Sequence, residues 1–282
     1  MKPLTLLVSC LGLVSAVAAA TSNGEPPVLL GAHAHNDYRQ KRPLRDALDH
    51  GFGIIEADIW LVEERLLVAH DRKDVNPERT LQALYLEPLR ERVRQNGGRV
   101  YRGGPTVTLV IDVKSEAGPT LVRLHPVLEQ YAEMLTEFDR TGRRERAVTV
   151  ILSGNRDQAG LAAMPRRLAA LDGRREHLDS DVSVDLVPII SENWRTLSDW
   201  NWRDPMPESV RPRLAEWVQR AHARGRLVRF WGVPDRPDAW EVLLAAGVDV
   251  IGSDNLGALQ AFLLQRRERA RGADGDGHRP RP

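Results

Sequence analysis

Short apolar runs with strand-like alternation recur along the chain, and stretches of helical spacing fall between them. The pattern predicts a strand over 28–35, a short helix over 44–50 and a strand over 53–60. A short extra strand over 66–69 leads into a turn at His70-Asp71. A helix over 81–95, a strand over 106–114, a helix over 119–138 and a strand over 147–152 follow. Residues 161–170 read as partly helical and run into a strand near Leu171, and 186–190 is the next strand. The remainder reads as a helix over 208–224 ended by Gly225, a strand over 227–231, a helix over 238–246 capped by Gly247, and a strand over 248–252. A last helix begins over 256–265. About eight β/α units mean a parallel sheet with crossover helices. Eight of them in this length predict a closed α/β fold, a (β/α)8 TIM-type barrel in one domain over 21–265, with no linker inside it.

The polar positions that interrupt this pattern sit where the early strands end. Residues two apart on a strand share a face. Glu56 and Asp58 therefore point one way, and Ile55, Ala57 and Ile59 the other. Asp112 and Lys114 repeat the arrangement on the third strand, and His33 and His35 on the first. The C-terminal ends of barrel strands converge on one mouth. Three carboxylates meeting there repel one another, and a divalent cation resolves the repulsion; oxygen ligands suit Mg²⁺ or Ca²⁺. Trp231 shares its strand face with Arg229 and is expected to line the mouth and touch substrate.

Composition adds limits. Residues 1–20 have the order of a signal peptide: Lys2, an apolar core over 6–17, then Ala18-Ala19-Ala20. Cleavage would remove Cys10, the only cysteine, and leave a chain that relies on its core. A secreted or periplasmic protein is the expectation, with no stable transmembrane segment after cleavage. Residues 266–282 carry six arginines and read as a basic tail, disordered from Arg271 onward. Without leader and tail the body is slightly acidic, which gives no support for nucleic-acid binding.

The run His35-Asn36-Asp37-Tyr38, then Ile55-Glu56-Ala57-Asp58-Ile59-Trp60, then His70, then Ile111-Asp112-Val113-Lys114, resembles the superfamily of phosphatidylinositol-specific phospholipases C and glycerophosphodiester phosphodiesterases. Within it the chain is similar to the family around the altered inheritance of mitochondria protein 6, which shares the opening motif, Arg229-Phe230-Trp231 and Gly247-Val248-Asp249. The likeness spans roughly 29–265. It implies that His35 and His70 are catalytic, that Glu56, Asp58 and Asp112 hold the metal with Asn36 as a fourth ligand, and that Lys114 neutralises a phosphate oxygen. His33, on the same face as His35, is expected beside the substrate. The implied activity is a metal-dependent phosphoric diester hydrolase of lipid metabolism, acting on a phosphodiester substrate of lipid origin. The chain lacks the His-Arg-Gly of glycerophosphodiesterases and the accessory domains of eukaryotic phospholipases C. Two other readings stay open: a catalytically silent barrel that binds an anionic ligand, and an H-x-H metallohydrolase of the amidohydrolase type. The second needs histidines at later strand ends, whereas His125, His177, His222 and His278 fall in predicted helices, loops or the tail.

Overall fold

The alternation becomes a ring of parallel strands, seen in a computed structural model that describes residues 25–275. The barrel strands are β1 (Leu29–Ala34), β2 (Phe52–Val62), β3 (Val107–Val113), β4 (Val148–Gly154), β5 (Ala169–Gly173), β6 (Ile189–Asn193), β7 (Leu227–Trp231) and β8 (Ile251–Ser253). They pair in the order β7-β6-β5-β4-β3-β2-β1-β8, all parallel. A single bridge, Arg229 with Val250, joins β7 to β8 and closes the ring. The (β/α)8 barrel expected from the sequence is the fold.

Two separate cores follow from the period-2 alternation. Ile55, Ala57 and Ile59 face outwards into the main core beneath the helices. Ile54, Val110, Ile151, Ala170, Ile189 and Val250 face the lumen and form a second cluster with Phe138. Above that apolar layer the inward positions turn polar: Glu56 and Asp58 on β2, Ser153 on β4, Asp172 on β5 and Ser191 on β6 are all buried. Strands β2 to β6 thus lay down an apolar floor first and polar groups second, which places the polar groups at the C-terminal mouth.

Several elements depart from expectation. The helix read over 119–138 is Ala117–Glu129, and Phe138 lies instead on a hairpin, Glu137–Asp139 with Gly142–Arg144. The backbone of Thr136 donates to Val148 at the start of β4, 2.8 Å, which holds that hairpin under the barrel and lets Phe138 plug the lumen. β2 outruns its neighbours because Arg65–Val68 pairs antiparallel with its end, Ile59 opposite Val68. That hairpin carries the chain back over the mouth at His70. The last helix runs over Leu256–Gly275, past Arg271, where order was expected to end. The leader-like residues 1–20 lie outside the described residues. Among the described residues no helix is long and apolar enough to cross a membrane.

Candidate active site

The register of three adjacent strands builds the centre. Asp58 of β2 stands opposite Asp112 of β3, and Asp112 opposite Ser153 of β4. Glu56 lies two residues below Asp58 on the same face. Oxygens of Glu56, Asp58 and Asp112 fall within 4.8 Å of one another, a group able to hold a metal ion. Asp58 Oδ1 and Asp112 Oδ1 are buried without a hydrogen-bond partner, a costly arrangement unless a cation meets them. Burial pushes the Asp112 carboxyl up to about 6; Lys114 opposes the shift, and Asp58 and Glu56 add to it. Lys114 Nζ lies 3.1 Å from Asp58 Oδ2 and 3.1 Å from Asp112 Oδ2. Gly154 follows Ser153 at φ +65°, and a Cβ there would sit 2.0 Å from Asp112 Oδ1, so the third carboxylate has room only beside a glycine.

Two histidines flank the acids. His35 Nδ1 is 2.7 Å from Asp254 Oδ1, just past β8, and its Nε2 is 3.7 Å from Glu56 Oε1. His70 Nδ1 is 2.9 Å from Asp58 Oδ2. Each ring is anchored through Nδ1, which leaves Nε2 for the mouth. Asn36 turns the chain after His35 in the left-handed region, φ 50°. Its side-chain nitrogen donates to Asp254 Oδ1, 3.1 Å, and its side-chain oxygen accepts from the Tyr38 hydroxyl. Tyr38 Oη also lies 2.8 Å from Asp58 Oδ2 and 3.2 Å from His70 Nδ1. Asn36 and Tyr38 thereby link the His35 and His70 sides of the site.

His33 is placed differently from expectation. It is fully buried, its Nε2 3.2 Å from Glu56 Oε2, and the mouth is lined without it. Burial, then the nearby charge of Arg229, lowers its pKa to about 4, so it is neutral. Arg229, also buried, reaches the same Glu56 oxygen at 3.5 Å. Burial alone would raise the Glu56 pKa, but contact with His33 and the charge of Arg229 hold it below the ordinary carboxylate range. His33 supports a metal-ligand candidate from below and does not line the mouth.

The mouth is a cavity of about 460 Å³. His35, Asn36, Glu56, Asp58, His70, Asp112, Lys114 and Trp231, all singled out in the sequence, line it together. Trp231 is 41% exposed and offers a flat apolar wall. The sequence reading passed over Trp60 and Arg174, which also line it. For Arg174 a signal existed: Asp172 and Arg174 alternate with Leu171 and Gly173, as Asp112 and Lys114 alternate around Val113. None of His125, His177 and His222 lines the mouth, so the amidohydrolase reading finds no later histidines there; His278 lies outside the described residues.

Comparison with known proteins agrees with this architecture. The sequence profile described as AIM6-like phosphodiesterase domain matches residues 26–167. The altered inheritance of mitochondria protein 6 of Eremothecium gossypii is 29% identical over 286 residues, which is 88% of this chain and 72% of that protein. Its namesake in Saccharomyces cerevisiae is 29% identical over 293 residues, 88% of this chain and 73% of that protein. A crystal structure of a glycerophosphodiester phosphodiesterase from Parabacteroides distasonis superposes with a TM-score of 0.52 at 15% identity, covering 86% of this chain and all of the other, a likeness of fold. The relatives correct one expectation. Their printed names tie them to mitochondrial inheritance and not to export. The secreted or periplasmic location read from residues 1–20 is therefore withdrawn.

Proposed function

Because the chain belongs to the family of the AIM6-like phosphodiesterase domain, we propose that it hydrolyses a phosphoric diester at the barrel mouth, using His35 and His70 as acid and base beside a divalent cation held by Glu56, Asp58 and Asp112. One observation carries this reading: two Nδ1-anchored histidines flank three converging carboxylates, two of whose buried oxygens lack partners. All-oxygen ligands favour Mg²⁺ or Ca²⁺, which when bound offsets the charge of the phosphate oxygens. Asn36 is less suited as a fourth ligand, since its oxygen already accepts from Tyr38.

The side chains account for the remaining chemistry. Lys114, half-buried at the mouth, is a fixed positive charge for a non-bridging phosphate oxygen. Asp254 behind His35 and Asp58 behind His70 fix each ring so that Nε2 faces the reacting atoms. One ring takes a proton from the attacking oxygen, and the other returns one to the leaving oxygen. Trp231 and Trp60 flank the cavity and suit a substrate arm with apolar surface.

The test separates acid from base. His35→Ala and His70→Ala are each assayed on a diester with an alkyl alcohol leaving group and on one with an acidic aryl leaving group. The aryl group departs without a proton, so loss of the acid spares it, while loss of the base slows both substrates by ~10²–10⁴-fold. Equal losses for both variants on both substrates contradict the division of roles.

A further inference from the structure

We propose that the rim between β4 and β5 is a second anion site, so that the diester accepted here carries a further negative group, a phosphate monoester or a carboxylate, on one of its alcohols. The word diester rests on the hydrolase reading above; the anion site itself rests on separate residues.

The strand ends carry polar groups around the mouth in sequence. Past Asp58, Asp112 and Ser153, the Ser153 hydroxyl donates to Asp172 Oδ2 of β5, 2.7 Å. The same Asp172 oxygen accepts from Arg174 Nη1 at 2.7 Å, and Arg174 Nη2 donates to Ser153 Oγ at 3.2 Å. Arg174 is thus locked in position with its remaining surface in the mouth, the cavity that also holds the acidic triad. Beside it, just past β4 and behind the Gly154 and Asn155 that line the mouth, is Arg156. Its Nη1 donates to the Gly154 carbonyl, 3.2 Å, but its Nε and Nη2 are buried with no partner. Among the described residues it forms no ion pair. Burial, then the neighbouring charge of Arg174, depresses its pKa from the ordinary arginine value.

A guanidinium held this way is expensive. Its buried donors have lost water and gained nothing, and a like charge stands next to it. Asp172 is already shared with Arg174, and the other acids whose charge reaches Arg156, Glu176 and Asp112, form no ion pair with it among the described residues. An oxyanion relieves both problems, because the arginine fork matches a pair of oxygens on phosphate or carboxylate. In the order of the ring, β5 lies four strands from β1, across the mouth from His35. A substrate with its scissile phosphate at β1 to β3 therefore extends its second anion over Ser153 towards Arg174.

The full chain is tested in two ways. Inorganic phosphate is titrated by calorimetry in excess EDTA, a readout independent of turnover. Arg156→Gln and Arg174→Gln should each weaken binding by about tenfold or more. Arg156→Lys, which keeps the charge and loses the fork, should weaken it too and serves if a glutamine variant does not fold. Three 4-nitrophenyl diesters are then compared, with an ethyl, a 2-carboxyethyl or a 2-phosphoethyl second arm. The wild type should prefer one anionic arm over ethyl by about tenfold in kcat/KM, and the arm preferred tells phosphate from carboxylate. That ratio should fall towards one in the arginine variants. Equal phosphate binding by wild type and all variants, or no binding by the wild type, overturns the site. Arginine-dependent binding without turnover of any ester leaves the site standing and sinks the hydrolase reading; turnover without arm preference does the reverse.

Discussion

The hydroxyl of Tyr38 has one proton and three polar neighbours: the oxygen of Asn36, Asp58 Oδ2 and His70 Nδ1. It can donate to only one at a time, and the Asp58 carboxylate only accepts, so His70 Nδ1 is the donor in the 2.9 Å contact with Asp58. That fixes the tautomer of His70 and leaves Nε2 free to exchange protons in the proposed reaction. Tyr38→Phe keeps the ring in its buried slot and removes this restraint. Turnover should fall by ~10–100-fold, the usual cost of losing an outer-shell partner, with little change in melting temperature. Steady-state kinetics beside a thermal melt checks it, and a variant as active as wild type removes Tyr38 from the account. At this scale the sequence was legible for Glu56, Asp58 and Asp112, whose acid-beside-apolar spacing is local. It was not legible for Tyr38, whose role depends on Asp58 and His70, twenty and more residues away. His33 shows the opposite error: sharing a face with His35 does not mean sharing a depth, and one step down β1 is already inside the lumen.

At the scale of elements, the barrel depends on two cores that the alternation divides cleanly, and Phe138 shows where alternation misleads. Residues 132–138 have a composition that continues a helix. The backbone pairing of Thr136 with Val148 and the demand for an apolar plug beneath Ile54, Val110 and Ile151 decide otherwise. This is tertiary packing overriding local preference. Phe138→Ala should therefore open the floor of the lumen and cost about 3–5 kcal/mol. Chemical denaturation measures this, and a loss below about 1 kcal/mol would mean that the lumen does not need its plug. The strand near Leu171 was the faintest in the sequence, and β5 is indeed joined to β6 by only two register pairs, Asp172 with Ile189 and Gly173 with Ile190. That faintness is why Arg174 was passed over.

Taken whole, the molecule gathers opposite charges in layers. Arg229 and His33 steady Glu56 below, three carboxylates converge above it, and Lys114 and Arg174 line the rim. Most of this was legible because a parallel barrel turns strand-end positions into neighbours, so a one-dimensional pattern maps onto a ring. The relation of the two arginines past β4 and β5 was not, since it depends on the pairing of β5, the faintest strand in the sequence, with β4. The central claim is that this mouth cleaves phosphodiesters with a divalent cation held by the acidic triad. Its most direct test is release of 4-nitrophenol from bis(4-nitrophenyl) phosphate by protein stripped with EDTA and dialysed, before and after Mg²⁺ or Ca²⁺ is restored, with Asp58→Asn run in parallel. The stripped protein should release none, one of the two cations should restore release, and Asp58→Asn should not recover. Equal release with and without chelator, or none under any cation, contradicts it.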